Sequence, residues 1–412
     1  MKTATPRILT INGGSSSIKF ALFEAGEVLH RIFAGEIQGV GLPQGKFNVR
    51  GIGPADELSR EIAVPDHTHA LEILMEWLEK RLKERLPDAI GHRVVHGGPK
   101  YWETHQITPE IIAGMRQLSP FDPDHLPQEL GLVEASERGF PGLPQFACFD
   151  TAFHHEIPRV AHLLPIPRRY LAQGIRRYGF HGISCSYLMQ ELERVGGKEI
   201  ARGRVMLAHL GNGASITAVR NGKSIDTSMG FTPTAGLPMG TRCGDLDPGL
   251  GWYLYCTENV TPEKFHRMVN SESGLLGVSE TSADMRELLR REGSDIRAAE
   301  AVELFCYHAR KWIGALAAAL EGLDTLVFSG GIGENAAEIR ARICRDLTWM
   351  GVALDDARNS LGAPVISRER SPVTVRVIRT DEELMIAEMV CQALYRDRRN
   401  ADGKNGDRAS GK

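Results

Sequence analysis

A few residues of this chain carry reactive side chains where packing alone would not call for them. Arg93 stands in Gly91-His92-Arg93-Val94-Val95-His96-Gly97-Gly98 and Arg242 in Met239-Gly240-Thr241-Arg242-Cys243-Gly244, stretches built mainly of apolar residues and glycine. A guanidinium is planar, permanently charged and able to hold two oxygens at once, which suits a phosphoryl group whose charge is redistributed in flight. His181, in Gly179-Phe180-His181-Gly182, reads alone as a satisfied core histidine; beside the loop that carries Arg242 it reads as a charge stabiliser. Asn12, Asp150 and Glu382 are hard oxygen groups at expected strand or helix ends, as Mg²⁺ prefers, an ion that keeps waters and nucleotide phosphates as its other ligands. Each of the three also has a plain reading as a cap or turn residue. Lys19 is either an edge-strand lysine or a phosphate contact.

The elements that must position these groups are glycine turns after strands. Val205-Met206-Leu207 leads into Gly211-Asn212-Gly213, and Ser215-Ile216-Thr217-Ala218-Val219 returns as an alternating strand. Ile8-Leu9-Thr10-Ile11, a turn from Asn12 to Ser17, and Ile18-Lys19-Phe20-Ala21-Leu22-Phe23 have the same shape. Such turns tolerate positive φ and leave the backbone open to close approach by a phosphate. A third glycine turn, Ser329-Gly330-Gly331-Ile332-Gly333-Glu334-Asn335, follows the strand Thr325-Leu326-Val327-Phe328. None matches a Walker loop or the dinucleotide fingerprint. Two matching hairpins imply a duplicated fold with a nucleotide between the halves.

Around these turns the pattern is α/β. Helices are expected over 69–86 (apolar face Leu71, Leu74, Met75, Leu78, Leu82), 109–118, 128–138, 184–195, 299–320 and 384–395, and a buried strand over 145–151. Residues 35–54 read as further short antiparallel strands. Residues 232–251 form a long loop dense in glycine and proline, a kind that is usually functional inside a domain. Asp247 and Asp381 read as local capping and turn residues. At 412 residues the chain is too long for one ordinary core, so two domains are expected: 1–152 closed by 383–396, and 153–382. Residues 397–412 are polar and lack an apolar period, so they are expected to be a disordered tail.

A net charge of −3 argues against a nucleic-acid partner held by bulk electrostatics. The longest uncharged apolar run, near Trp312, is far too short to span a membrane. The seven cysteines form no C-x-x-C pair, which fits a reduced cytoplasm and gives a zinc site little support. The N-terminal stretch does not read as a signal peptide.

The glycine-turn segments, the Arg93 and His181 segments, His209-Leu210-Gly211-Asn212-Gly213 and Met239-Gly240-Thr241-Arg242-Cys243-Gly244-Asp245-Leu246-Asp247-Pro248 resemble, in order and over all but the tail, the motifs of acetate kinases. The resemblance implies a duplicated ribonuclease H-like ATPase fold of the actin and sugar-kinase type, with mixed central sheets and an interdomain active-site cleft. It implies the reaction ATP + acetate ⇌ ADP + acetyl phosphate, with Mg²⁺ (Mn²⁺ able to substitute), in a cytoplasmic homodimer without nucleic-acid or membrane partners. By motif, Asn12 and Glu382 would hold the metal and Lys19 the nucleotide phosphates. Arg93 would hold the carboxylate or acyl phosphate, with His125 on the transferring group. Asp150, His181 and Arg242 would be catalytic, and Val95, Phe180 and Pro233 would wall the acyl methyl. His209, Leu210, Gly211, Asn212 and Gly213, Asp284, Met285 and Arg286, and Gly331, Ile332, Gly333, Glu334 and Asn335 would hold ATP. The chain departs from the family's pattern at Asp124 and Leu126 around His125, at Cys185 and at Asp381.

A small carboxylic acid, with a pKa of about 4, is already an anion at neutral pH and needs no general base. On that chemistry Asp150 is suited to orienting a metal, a water or an arginine. The rival readings are a propionate or butyrate kinase, a non-catalytic ATP-binding switch of the same superfamily, and an actin-like filament protein. A switch has no use for Arg93, His181 and Arg242 together.

Overall fold

The computed structural model describes residues 5–14, 17–53, 57–83 and 85–409, with backbone alone for 397–409. Ser15 and Ser16 of the first glycine turn, and the last three residues of the expected tail, lie outside the described residues. The chain divides into two compact units: unit 1 is Met1–Ala152 with Asp381–Lys412, and unit 2 is Phe153–Thr380.

Unit 1 is built on strands β1 (Arg7–Gly13), β2 (Ser17–Glu24), β3 (His30–Gln38), β4 (Leu42–Gly51), β5 (Leu58–Val64), β6 (Ala89–Val94), β7 (His105–Gln106) and β8 (Gln145–Phe149). Their order is β5-β4-β3-β2-β1-β6-β8-β7. β1 to β5 form an antiparallel meander, whereas β6 lies parallel to both β1 and β8. Unit 2 has β9 (Arg204–Leu210), β10 (Ala214–Arg220), β11 (Lys223–Thr227), β12 (Thr325–Ser329) and β13 (Thr374–Val377), in the order β11-β10-β9-β12-β13. Here too the first three are antiparallel, and β12 is parallel to its neighbours β9 and β13. The sheet β3-β2-β1-β6-β8 is therefore repeated, strand for strand and sense for sense, as β11-β10-β9-β12-β13. The mixed α/β architecture is duplicated, as a ribonuclease H-like ATPase fold requires.

The cores follow from the patterning. Helix His67–Arg81, capped by Asp66 accepting from the His69 N–H, buries Ala70, Leu71, Leu74, Met75 and Leu78 against the meander. Trp77 sits there among Phe20, Phe33 and Phe47, with ring centroids 5.1–5.9 Å apart, so edge-to-face aromatic packing adds to the area buried. The helix ends at Arg81, short of the expected residue 86. Leu82 becomes its C-cap while staying buried. In unit 2, helix Ile296–Leu320 begins on Asp295, buries a stripe from Ala298 to Leu320, and closes with Glu321 in the left-handed region before Gly322.

One expectation is corrected at the C-terminus. Residues 397–409, expected as a disordered tail, continue as backbone of helix Glu382–Ala409. No proline interrupts them, and extending an existing helix adds a hydrogen bond per residue without a new nucleus.

Candidate active site

β1, β6 and β8 run parallel, so their C-terminal ends share one edge of the unit 1 sheet, where ligands of open α/β sheets bind. Asn12 and Arg93 are the penultimate residues of β1 and β6, and Asp150 follows β8 directly. Arg93 donates Nε and Nη2 to Asp150 Oδ2 at 3.0 and 2.6 Å, and Nη1 to the Gly13 carbonyl at 3.0 Å. These contacts fix the plane of the guanidinium. Burial opposes its charge, but Asp150, Glu382 and Glu129 outweigh burial and hold its pKa above the usual arginine range. A buried ion pair of this kind adds little to stability against an apolar replacement, so its value is orientation.

Asn12 donates its amide to Glu382 Oε2 at 2.9 Å and to Glu383 Oε1 at 3.1 Å. Burial, then the neighbouring Glu382, raises the Glu383 pKa, with Lys19 acting against both. Lys19 pairs across the hairpin with Asn12 and has its side chain exposed. Local burial opposes its charge, yet Glu383, Glu382 and Glu36 hold its pKa above normal. Asp381 accepts from Arg31 Nη2 at 2.6 and 2.5 Å and from the Leu384 N–H at 3.1 Å, which caps the helix carrying both glutamates. Among the described residues no three His, Cys, Asp or Glu side chains form a closed metal cage. One amide and two carboxylates, all oxygen donors, instead fit Mg²⁺, which takes few protein ligands.

His125 shares a hydrogen bond of 2.8 Å with Asp122 and precedes helix Leu126–Gly139, while Asp124 faces solvent. Val95 is buried, and its N–H is held by both oxygens of Glu129, at 3.1 and 3.0 Å.

In unit 2 the corresponding turn is Gly211-Asn212-Gly213, between β9 and β10. Neither glycine uses the positive φ that such a turn tolerates. The missing side chain of Gly213 serves space instead: a Cβ there would lie 3.1 Å from His181 Nε2 and 3.7 Å from Arg242 Nη1. His181 sits in the left-handed region at φ 58°, an uncommon conformation for a non-glycine residue and one that repeatedly marks functional positions. Its ring stacks on His209 with centroids 4.4 Å apart, and its Nδ1 is 2.9 Å from Ser215 Oγ. His209 Nδ1 is 2.8 Å from Ser184 Oγ, which also bonds Thr380 Oγ1. Buried His154, its pKa pushed down to about 4 by burial against a smaller pull from the Phe180 carbonyl, donates Nε2 to that carbonyl and anchors the segment before His181.

The loop 232–251 carries no regular element before helix Gly249–Glu258, yet it is anchored. Gly240 N–H bonds the Asn212 carbonyl, and the Leu275 and Leu276 N–H groups bond the carbonyls of Met239 and Gly240. Pro233 and Phe180 are buried, and Arg242 Nη1 reaches the Pro233 carbonyl at 3.5 Å.

The expected nucleotide residues divide. Asn212 and Gly331 are exposed, and Gly331 has open space over its Cα. Leu210, Met285 and Gly333 are buried. Asp284 accepts from the Arg286 N–H and pairs with its guanidinium at 2.6 Å. Asn335 donates to the Gly331 carbonyl, and Ile332 is half-buried. Glu334 is turned onto protein: its Oε1 accepts from the N–H groups of Gly330 (3.0 Å) and Thr380 (3.1 Å). Gly330, at φ 76°, must be glycine, since a Cβ there would stand 2.7 Å from the Leu210 carbonyl oxygen.

Sequence reasoning missed Glu129, Glu383, Ser184, Ser215 and His154. A glutamate in a first helical turn ordinarily signals only a complement to the helix dipole, so nothing local marked Glu129 as buried. The spacing of four between His125 and Glu129, one helical turn, was the available signal.

The acetokinase family profile matches residues 7–388. The acetate kinase of Rhodopseudomonas palustris CGA009 is 46% identical over 391 residues, covering 93% of this chain and 97% of that protein. The crystal structure of Porphyromonas gingivalis acetate kinase superposes with a TM-score of 0.81 at 39% identity, covering 94% of this chain and 100% of that one. A propionate kinase from Francisella tularensis gives 0.85 at 35% identity, with 93% and 98% covered. With a family match over nearly its whole length and relatives this similar, the chain belongs to the acetokinase family, phosphotransferases that use ATP as co-substrate and a carboxyl group as acceptor.

Proposed function

We propose that this chain is an acetate kinase that transfers the γ-phosphoryl group of ATP reversibly to acetate by direct in-line displacement. The observation that carries the reading is Arg93, locked by Asp150 and the Gly13 carbonyl at a strand end beside the buried, apolar Val95. A fixed planar cation next to an apolar wall suits a carboxylate with a very short tail.

An acetate oxygen forms the new P–O bond as the γ-phosphorus bond to the bridging oxygen breaks. ADP leaves with that electron pair, and no proton is transferred. Rate then comes from positioning and charge stabilisation. Arg93 holds the acceptor, Asp150 holds Arg93, and His181 with Arg242 stabilise the transferring group. Lys19 contacts nucleotide phosphates, and His125 contacts the transferring group. The segments 209–213, 284–286 and 331–335 take ATP, with Glu334 acting through the backbone of its loop. Asn12 and Glu382 would hold Mg²⁺, which when bound offsets negative charge on the phosphates.

Trp252, Tyr253 and Tyr255, 70%, 60% and 52% exposed on helix Gly249–Glu258, support assembly as a homodimer through that aromatic face. The seven cysteines, all among the described residues, are in no disulfide, which supports a cytoplasmic location. Trapping the product with hydroxylamine in reactions of acetate, propionate and butyrate with MgATP tests the function: acetyl hydroxamate is expected, and no hydroxamate from any acid would refute it.

A further inference from the structure

Glu129 has no part in the mechanism above, yet it is only 4% exposed. Its two oxygens hold the Val95 N–H. Arg93 faces it from the end of β6, Asp150 from behind β8, and Asp122 from the loop ahead of its own helix. His125, in that same loop, and His67, from helix His67–Arg81, line one small cavity with it, together with Gly13, Gly14 and Gln128.

We infer that Glu129 is a positioning residue of the acyl site: it anchors Val95 and, by taking up or releasing a proton, sets how strongly Arg93 attracts a carboxylate substrate. The inference rests on the reading of Arg93 as the partner of the substrate carboxylate.

Burial pushes the Glu129 carboxyl up to about 8; Arg93 and the Val95 N–H pull it down, while Asp122 and Asp150 add to the rise. A carboxylate substrate on Arg93 brings a further negative charge to the cation that most favours ionised Glu129. The carboxyl then holds its proton more tightly with substrate bound than without. By linkage, substrate binding takes up a proton, and affinity falls as pH rises through the free-protein value near 8. Below that range Glu129 is neutral, and Arg93 keeps its full attraction for the acid. No bond to Arg93 is needed, because the effect is one of charge.

The test is KM for acetate at saturating MgATP from pH 6.5 to 9.5, for wild type and Glu129→Gln. The amide keeps an acceptor for Val95 but never ionises. Wild-type KM is expected to rise about three- to tenfold between pH 7 and 9, and Glu129→Gln to stay flat, with KM for ATP alike in both. A merely structural role would shift kcat and KM at every pH and leave the alkaline rise in place. The same rise in Glu129→Gln, or no rise in wild type, overturns the inference. Should the variant not fold, calorimetric titration of wild type with acetate at pH 8, in two buffers of different ionisation enthalpy, reads the proton directly: uptake supports the inference and zero uptake overturns it. Failure of the acetate kinase reading looks different, since then no short acid yields a hydroxamate at any pH.

Discussion

The two units repeat one sheet topology but carry different residues at its strand ends. In unit 1 the C-terminal ends of the parallel strands carry Asn12, Arg93 and Asp150, with Glu129 buried among them and Glu382 and Glu383 brought alongside by the last helix. In unit 2 the equivalent ends carry His209, Leu210 and Gly211 where β9 closes and Ser329, Gly330 and Gly331 where β12 closes. One edge is a nest of charges held by other charges, whereas the other is glycine backbone with two stacked imidazoles. On the function proposed above, the first edge would take the small acid and the second the phosphates against main chain. The backbone sets where a ligand binds, and the residues at the strand ends set which ligand.

The sharpest way to break this comparison is to remove its two arginines. Arg242→Ala is expected to lower kcat by at least about a hundredfold with little change in KM for ATP, because its contact strengthens in the transition state. Arg93→Ala should instead act first on the acid, raising KM for acetate at least about tenfold, as a lost charged hydrogen bond would. Steady-state kinetics of both variants decides it; identical patterns would erase the division of labour.

The acyl wall is tested by substrate size. Overfilling a rigid apolar site costs typically 1–3 kcal/mol, more than the ~0.8 kcal/mol that burying one CH₂ contributes. The expected order of kcat/KM is acetate, propionate, butyrate, each step falling roughly 10-fold or more. Butyrate equal to acetate would mean that Val95 does not wall the site.

Asn12→Ala and Glu382→Ala should each raise the Mg²⁺ concentration for half-maximal rate by about tenfold, the scale on which loss of a metal-site partner weakens affinity. An unmoved Mg²⁺ titration in both would detach that edge from the metal.

The smallest effect is expected at Ser215→Ala, which removes the partner of His181 Nδ1. kcat should fall about five- to tenfold, the effect of one neutral hydrogen bond near 1 kcal/mol. An unchanged rate would show that the ring is held without Ser215.

Much of this was legible in the chain. The paired hairpins around Asn12 and Asn212 reported the duplication, because a strand, a glycine turn and a returning strand can be recognised locally. Arg93, His181 and Arg242 stood out because a costly residue type sat where packing asked for none. Other features were read for the wrong reason. The Gly211-Asn212-Gly213 turn was read as one that tolerates positive φ, but neither glycine uses it, and Gly213 instead leaves space for His181 and Arg242. Glu334 was expected on ATP and is engaged by the backbone of Gly330 and Thr380.

By itself the sequence determined the α/β pattern, the repeated hairpins and the residue types available for phosphoryl transfer, since periodicity and turn chemistry act over a few residues. Only the tertiary structure decided which of those residues meet. Asn12 reaches Glu382 across 370 positions, and Arg93 meets Asp150 across 57, through parallel strand neighbours that no local pattern specifies. It alone decided that Glu129, an ordinary helix-start glutamate by its neighbours in the chain, is buried with both oxygens on the Val95 N–H. Burial is a property of the whole packed sheet, and a carboxyl group changes its chemistry only once water has been removed from it.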